Sequence, residues 1–234
     1  MTPVGTLLVC AAPSEAAAVL RAFDRAPIDA APPIAWKAVP LDDRTDLVVT
    51  GVGKANAAAG VARAFDPLKH ARVINIGIAG ALPRSRLNLL DAVAASLSMY
   101  ADEGVQTPER FIDIAACGFA PNQGLGRPSI GVAGDPALIR TAEALGARAG
   151  PVATVSTCSA RNRLAVLVTE RTGAIAEAME GAAAAFTVLR LAAPPAAFLE
   201  LRVISNTTGN RAKQRWDLAG ALARTGELAR AISK

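Results

Sequence analysis

Short apolar runs alternate with helix-forming segments along most of the chain. The run at residues 6–11 leads into Pro13 and a helical pattern, and the run at residues 46–50 leads into Gly51-Val52-Gly53 and a second helical pattern. Because strands joined by crossover helices give this alternation, the pattern predicts a three-layer α/β domain with a largely parallel or mixed sheet. Residues 1–234 contain no linker between two cores, so a single domain is expected.

Polar residues and glycines follow the predicted strands at their carboxyl ends. A buried strand at residues 72–76 is expected to end in a glycine turn at residues 77–80, and a strand at residues 198–204 precedes Asn206. Glu15 follows the first predicted strand in the same way. Ligands of open α/β sheets bind beyond the carboxyl ends of the strands. These residues are therefore predicted to meet at one site.

Two stretches of the chain lack a regular pattern. Residues 24–33 are rich in Pro and Asp and are predicted to form a loop. Residues 100–128 carry Gly, Pro, Tyr100 and Phe111 and are predicted to form a long functional loop. A helix is expected from Glu180 onwards, and a last, mostly helical segment is expected over residues 212–233.

The composition excludes several classes of protein. Apolar residues make up 52% of the chain, which excludes general disorder, and no apolar run approaches the ~18–20 residues of a membrane span. The N-terminus lacks the basic region of a signal peptide, so the cytoplasm is the expected location. The net charge is +5, but the cations are scattered and aromatic residues make up only 4%. Neither a nucleic acid nor a membrane is therefore an expected partner.

The few cysteines and the single histidine limit the chemistry that is available. Cys10, Cys117 and Cys158 show no C-x-x-C spacing, and with His70 alone they cannot form a zinc site. A Ser-His-Asp device would have to use His70, which is predicted to lie in a surface loop. The Walker A motif is absent, and Asn56 stands where a dinucleotide-binding fingerprint needs glycine. Neither a metal nor a cofactor is expected.

Carboxylates, amides and glycine turns remain as the groups that could carry chemistry. Glu15 lies in the first turn of a predicted helix and Glu180 at the start of another. By position alone, each is explained equally well as a surface acid that complements the helix dipole. Asn206, considered alone, is better explained as a turn residue. Position therefore does not decide between a structural and a functional role.

Four segments carry a resemblance that changes this balance. They are Thr50-Gly-Val-Gly-Lys-Ala-Asn-Ala, Asn75-Ile-Gly-Ile-Ala-Gly-Ala, Glu177-Ala-Met-Glu-Gly-Ala and Arg202-Val-Ile-Ser-Asn. Their order and spacing resemble the nucleoside phosphorylase and hydrolase family, in particular its methylthioadenosine/adenosylhomocysteine nucleosidase branch. The resemblance implies a three-layer α/β/α fold with a central mixed sheet. It also implies an N-glycosyl hydrolase that needs no cofactor.

The resemblance also implies roles for single residues. Glu15 matches the carboxylate that activates the attacking water, and Asn206 occupies the position that contacts the purine edge, so these two are the expected catalytic residues. The expected substrate-binding residues are Ala79, Gly80, Met179, Glu180 and Arg202. Among these, Glu180 matches the acid that holds the ribose hydroxyls. Arg202 matches an arginine near both acids.

Asn206 marks a departure within the family, because the nucleosidase pattern ends in Asp. Together with residues 207–211 and Trp216, it resembles the branch that hydrolyses futalosine to hypoxanthine and dehypoxanthinyl futalosine. A neutral amide donates to a six-oxo group and accepts from N7–H, which suits hypoxanthine and mismatches adenine. An Asn that flips can still pair with adenine in the ground state.

Three alternatives stay open at this point. A methylthioadenosine/adenosylhomocysteine nucleosidase or a purine nucleoside phosphorylase would share the same scaffold, and so would a non-catalytic nucleoside-binding module. Ile78, where many relatives have Ser, disfavours phosphate, whereas Arg84 and Arg86 keep the phosphorylase open. Since relatives are dimers or larger, a homodimer or larger homo-oligomer is expected.

Overall fold

The computed structural model describes residues 3–25, 36–193 and 195–234. The strands of this part of the chain are β1 (Gly5–Cys10), β2 (Val39–Pro40), β3 (Thr45–Val49), β4 (His70–Ala81), β5 (Ala92–Tyr100), β6 (Gly104–Gln106), β7 (Phe111–Asp113), β8 (Gly131–Ala133), β9 (Ala147–Thr154), β10 (Ala176–Ala178) and β11 (Ala197–Thr207). The helices are α1 (Pro13–Ala22), α2 (Lys54–Ala64), α3 (Pro136–Ala144), α4 (Asn162–Thr172), α5 (Gly181–Leu191) and α6 (Leu218–Ile232). A short 3-10 turn covers Arg211–Lys213.

Nine of these strands form one mixed sheet in the order β10-β9-β5-β11-β4-β1-β3-β2, with β8 paired to β5. Neighbours β3, β1, β4 and β11 run parallel, whereas β11 and β5 run antiparallel. Strand β10 also pairs with β4, so the five strands from β4 to β10 close on themselves. The predicted three-layer fold with a mixed sheet is confirmed.

Helices cover both faces of the sheet because the central strands are apolar on both sides. In β1, Leu8 and Cys10 pack against the layer that contains α1, α3 and α6. Leu7 and Val9 point to the opposite face and pack against α2 and α5. All six residues of β1 are buried. Such continuous apolar burial is typical of strands that lie between two helical layers.

Two strands extend beyond their predicted ends. The prediction of a glycine turn at residues 77–80 is wrong. Strand β4 continues through these residues to Ala81, and β11 pairs along one of its edges. Asn206 likewise lies inside β11, next to a register shift that follows Ile204. Glycine weakens an isolated strand, but here neighbouring strands supply the hydrogen bonds that keep the segment extended.

Other predicted segments differ in detail. Residues 100–128 contain the hairpin of β6 and β7 and are not irregular throughout. The last helix begins at Leu218 and not at residue 212, because Asp217 caps it by accepting from the amide of Gly220 at 2.8 Å. Most of the loop predicted at residues 24–33 lies outside the described residues. Within the described ranges, no helix is both long and apolar enough to span a bilayer.

Candidate active site

A cavity of about 220 Å³ lies at the carboxyl ends of β1, β4 and β10. Its lining includes six of the seven residues proposed from the sequence: Glu15, Ala79, Gly80, Met179, Glu180 and Asn206. It also includes Val52, Ile78, Cys158, Glu177, Ser205 and Trp216. Strand topology therefore brings together groups that lie almost 200 residues apart in the chain, at the place where α/β sheets bind ligands.

Glu15 is held at the bottom of this cavity by backbone amides. It lies in the first turn of α1, and its Oε2 accepts from the amides of Ala11 and Ala12 at 3.0 and 2.9 Å. Its Oε1 accepts from the amide of Ile78 in β4 at 2.9 Å. Glu15 as a whole is buried, with 4% of its surface exposed. Three amides thus fix the carboxylate with one edge towards the cavity.

The environment of Glu15 changes its proton affinity. Burial raises the pKa of this carboxyl, and the positive charge of Arg202 and the amide hydrogen bonds only partly oppose that effect. Desolvation penalises the charged form, which explains the direction of the shift. A carboxylate with a raised pKa is a stronger base than a solvated one, so Glu15 is suited to take a proton from water.

Glu180 lies at the N-terminal cap of α5 and faces the same cavity. Its Oε1 accepts from the amide of Gly53 at 3.0 Å, which ties it to the loop between β3 and α2. Its Oε2 lies 3.4 Å from Nη2 of Arg202. The carboxylate is therefore oriented from two sides before any ligand binds.

Arg202 lies behind the cavity wall and not in it. It is fully buried in the middle of β11, where Nε donates to Oε1 of Glu200 at 2.9 Å and Nη2 donates to Oδ1 of Asn75 at 2.5 Å. Because it does not line the cavity, it contacts the site through Glu180. Its place in the structure is that of a residue that orients the acids.

Asn206 also lines this cavity. Its Oδ1 accepts from the hydroxyl of Ser205 at 2.9 Å, and its Nδ2 donates to the carbonyl of Thr207 at 3.0 Å. It pairs with Gly80 along β4 and forms an isolated bridge with Trp216. The register shift of β11 lies at this point, and the two consecutive residues Ser205 and Asn206 both line the cavity there.

Sequence reasoning assigned no role to two of the lining residues. Glu177 accepts from the amide of Ser159 at 2.7 Å and from its hydroxyl at 2.6 Å, and burial raises its pKa against these bonds. Trp216 is 45% exposed, and the guanidinium of Arg211 lies 4.7 Å from the centroid of the Trp216 ring. Trp216 is one of only two tryptophans in the chain and belongs to the resemblance noted above, and this was the signal from which a role in binding could have been assigned.

The two arginines that had left a phosphate-binding site as an alternative lie outside this cavity. Arg84 and Arg86 are exposed on the segment after β4 and line a separate depression with Thr207 and Thr208. Neither lines the cavity that contains Glu15. Among the described residues, no group of three or more His, Cys, Asp or Glu side chains is arranged to hold a metal ion.

Comparison with solved structures agrees with this architecture. The futalosine hydrolase of Helicobacter pylori strain 26695 superposes with a TM-score of 0.72 at 15% identity, covering 98% of this chain and 97% of that protein. The 5'-methylthioadenosine/S-adenosylhomocysteine nucleosidase of Helicobacter pylori, solved with butyl-thio-DADMe-Immucillin-A, superposes with a TM-score of 0.73 at 14% identity, covering 99% of this chain and 98% of that protein. At these identities the likeness concerns the fold.

Sequence comparison is more specific. The model of the phosphorylase superfamily matches residues 8–234. The futalosine hydrolase of Streptomyces coelicolor is 37% identical over 193 residues, covering 78% of this chain and 76% of that protein. The futalosine hydrolase of Thermus thermophilus is 33% identical, covering 79% and 78% respectively. The chain therefore belongs to the phosphorylase superfamily and, within it, to the futalosine hydrolase family.

Proposed function

We propose that this enzyme hydrolyses the N-glycosidic bond of futalosine and releases hypoxanthine and dehypoxanthinyl futalosine. The observation that carries the proposal is the placement of Glu15 and Asn206 on one cavity, with Glu180 in the same lining. An acid that can accept a proton and a neutral amide that can read a six-oxo purine are then available to one substrate. The futalosine hydrolases among its relatives support the choice of nucleoside.

The reaction needs charge to be stabilised at two places. As the bond from the sugar to the base breaks, the ribose becomes positive and the departing purine becomes negative. Water adds to the anomeric carbon while Glu15 takes its proton, an effect typically worth ~10²–10⁴-fold. Glu180 faces the cavity as a fixed negative group for the ribose hydroxyls, and Asn206 offers hydrogen bonds to the base. The bonding electrons leave with the purine, which takes one proton from solvent and is released as N–H. Glu15 returns the proton of the attacking water to solvent, so that water is consumed and no net proton is gained or lost.

Water is the favoured nucleophile over phosphate. Phosphorolysis would place a dianion beside Glu15, a buried acid whose three amide donors are already occupied. Arg84 and Arg86, which would have to neutralise that dianion, do not line the cavity. Like charges brought together in a buried site repel strongly, so the cavity suits a neutral nucleophile.

The alternative of a methylthioadenosine or adenosylhomocysteine nucleosidase is disfavoured by Asn206. Adenine carries a six-amino donor, and the amide must flip before its oxygen can accept from it. In the present arrangement Nδ2 donates to the carbonyl of Thr207, and a flip would place Oδ1 against that carbonyl and break the bond. The hydroxyl of Ser205, which now donates to Oδ1, could turn to the carbonyl of Ala79. A non-catalytic binding module is disfavoured because a binder has no use for a buried base at the water position.

Product identification tests the proposal directly. The purified protein is incubated with futalosine, aminodeoxyfutalosine, methylthioadenosine and adenosylhomocysteine, each with and without phosphate, and the products are separated by chromatography. We expect free hypoxanthine from futalosine at a rate independent of phosphate. Adenine from one of the amino nucleosides at a higher specificity constant would assign the enzyme to the alternative. A sugar phosphate among the products would make it a phosphorylase.

The assembly and the compartment are also proposals. We infer a homodimer or larger homo-oligomer acting in the cytoplasm, with the whole chain as one nucleoside hydrolase domain. Cys10, Cys117 and Cys158 are free thiols, which suits a reducing compartment. Sedimentation velocity at several concentrations tests the oligomer, and a single species with the mass of one chain would refute it.

A further inference from the structure

Glu200 is a buried acid that the proposed reaction does not use. It lies in β11 two residues before Arg202 and is 0% exposed. Its Oε1 accepts from Nε of Arg202 at 2.9 Å. Its Oε2 has no hydrogen-bond partner among the described residues, and the same holds for the buried hydroxyl of Ser98. Buried polar atoms are nearly always paired, so these two oxygens require an explanation.

The guanidinium that Glu200 holds forms an ion pair with Glu180 and acts on Glu15 through its charge. Nη2 of Arg202 lies 3.4 Å from Oε2 of Glu180. On the other side, a Cβ atom at Gly77 would lie 2.8 Å from Nη1 of Arg202 and 2.3 Å from Oε1 of Glu15, so both groups converge over this glycine. A rotation of the guanidinium would therefore disturb Glu180 and Glu15 together.

The charges of this buried cluster do not balance if every acid is ionised. Glu15, Glu180 and Glu200 would supply three negative charges against the one positive charge of Arg202, and all four residues are at most 4% exposed. Uncompensated charge in a buried site is costly, and a carboxyl group relieves it by keeping its proton. One of the three acids is thus expected to be neutral.

The hydrogen bonds indicate which acid keeps the proton. Glu15 accepts from three backbone amides, and such donors favour its ionised form. Glu180 also accepts from a backbone amide, that of Gly53 at 3.0 Å. Within the described part of the chain, Arg202 is the one hydrogen-bond donor to Glu200. Burial raises the pKa of Glu200, opposed by Arg202 and by the hydroxyl of Ser98. The hydroxyl of Ser98 beside this carboxyl can donate to an ionised Oε2 or accept from a protonated one, so it is compatible with the neutral form.

We propose that Glu200 is a neutral positioning residue for the hydrolysis: it fixes Arg202 through one oxygen and leaves the positive charge of Arg202 to Glu15 and Glu180. This proposal rests on the proposed function, because it concerns the two acids of that site. Gly181, at the start of α5, leaves the space that the carboxyl group of Glu200 occupies, since a Cβ atom there would lie 1.9 Å from Oε2 of Glu200. The arginine then holds the general base and the ribose acid at one spacing.

Two substitutions separate positioning from simple packing. Glu200→Gln keeps the shape, the neutral state and an oxygen for Nε of Arg202, so we expect kcat/KM within about threefold of the wild type and an unmoved acidic limb of the pH profile. Glu200→Leu removes the acceptor, so kcat should fall about 100-fold, as misplaced catalytic groups typically cause. Its acidic limb should move to higher pH, because a loosened Arg202 lowers the pKa of Glu15 less.

Asp46→Asn is the matched control for loss of a buried acid. Asp46 lies in β3 and accepts from Lys69 and from His70, at 2.9 Å for the latter, without lining the cavity. Its replacement should lower Tm and leave the pH profile of hydrolysis unchanged. If Glu200→Gln is as inactive as Glu200→Leu, the charge is needed and the proposal fails. If Glu200→Leu lowers Tm but keeps the wild-type kcat and pH profile, Glu200 is only structural and the proposal also fails.

Infrared spectroscopy tests the protonation state without any substrate. The wild-type enzyme near neutral pH should show the carbonyl band of a protonated carboxylic acid, and Glu200→Gln should lack it. A spectrum in which the two proteins do not differ in this region overturns the neutral state of Glu200. Because this measurement needs no turnover, a failure of the proposed substrate assignment would not be confused with a failure of the proposal about Glu200.

Discussion

The amide of Ile78 donates to Oε1 of Glu15 across 2.9 Å, so the strand that lines the cavity also fixes the acid at its floor. This contact joins β4 to the first turn of α1, two elements separated by more than 40 residues in the chain. The amide of Ile78 is therefore already paired with a carboxylate of the enzyme itself. An incoming anion would have to compete with Glu15 for that donor, which explains why the site suits water.

Replacing Glu15 by Gln should abolish turnover and leave base binding largely intact. The amide cannot accept the proton of the attacking water, so we expect kcat to fall by ~10²–10⁴-fold. Release of hypoxanthine measured by chromatography gives the rate, and calorimetry with hypoxanthine gives the affinity. Glu109→Gln, at an exposed acid of the β6–β7 hairpin region, is the control and should behave as the wild type. A wild-type rate in Glu15→Gln would remove Glu15 from the mechanism.

The pH profile of kcat/KM should show an acidic limb above the usual pKa of a glutamate. Burial raises the pKa of Glu15, and the base works only when ionised, so activity is lost as pH falls through the raised value. The contribution of Glu15 to the unfolding free energy depends on pH in the opposite direction. The folded-state pKa lies above the unfolded one, so the contribution of Glu15 to the unfolding free energy is fully present below the unfolded pKa and is lost as pH rises through the folded pKa.

Both halves of this prediction can be measured on the same pair of proteins. The acidic limb comes from initial rates in a series of buffers at constant ionic strength. The stability term comes from urea unfolding of the wild type and Glu15→Gln across the same pH range. The difference in unfolding free energy between them should move against the wild type as pH rises. An acidic limb at the pKa of a solvated glutamate would show that Glu15 is not the titrating base.

Replacing Asn206 by Asp should shift the preference from six-oxo toward six-amino nucleosides. The new carboxyl can be protonated and deliver a proton to N7, which a carboxamide cannot do. Mismatched buried polar groups can discriminate by up to ~10⁴-fold, so the ratio of specificity constants for futalosine and its amino analogue should change by at least about tenfold. Asn206→Ala is the control that removes both donor and acceptor. An unchanged ratio in the Asp variant would refute base reading by this residue.

Replacing Glu180 by Gln should weaken recognition of the ribose hydroxyls. The amide keeps an oxygen for the amide of Gly53 but loses its charge beside Arg202 and the sugar. Loss of one such electrostatic contact typically costs ~10²–10³-fold in rate. The comparison that isolates it uses the substrate and its 2'-deoxy analogue. The wild type should discriminate strongly between the two, and equal discrimination by Glu180→Gln would contradict a contact with that hydroxyl.

Replacing Trp216 by Ala should raise KM with little change in kcat. Trp216 lines the cavity, and the guanidinium of Arg211 lies over its ring, so it offers a flat apolar surface for binding and no group that takes part in the bond cleavage. Aromatic stacking worth ~0.5–1.5 kcal/mol corresponds to roughly a two- to twelvefold rise in KM. Trp216→Phe keeps a ring and should lose less than Trp216→Ala does. Initial rates over a range of substrate concentrations measure both constants, and a fall in kcat alone would exclude a role in binding.

Local sequence patterns predicted those helices and strands that depend mainly on neighbouring residues. The apolar run of β1, the proline at the start of α1 and the alanine-rich α5 are all recognisable from a few neighbouring residues. The convergence of Glu15 and Asn206 also followed from the rule that ligands bind beyond strand ends. These predictions succeeded because they depend on local periodicity and on general topology.

The missed features depend on contacts between distant segments. Residues 77–80 stay extended because β11 pairs along them, and nothing near Gly77 indicates that Glu15 and Arg202 meet over it. The buried position of Arg202 was missed too, although one signal was present. Glu200 and Arg202 stand two apart in an otherwise apolar strand, and that spacing predicts an ion pair on one face.

Because β10 bonds to both β9 and β4, the backbone that carries Glu177 cannot separate from the backbone that carries Gly80 without breaking the sheet. The parts of the cavity wall that carry Glu177 and Gly80 thus belong to one continuous hydrogen-bonded framework. Glu15 and Glu180 lie where α1 and α5 begin, directly after β1 and β10, so this framework also fixes where the two acids stand. The lining around Val52, Cys158 and Trp216 lies outside the sheet and is not tied to it in this way.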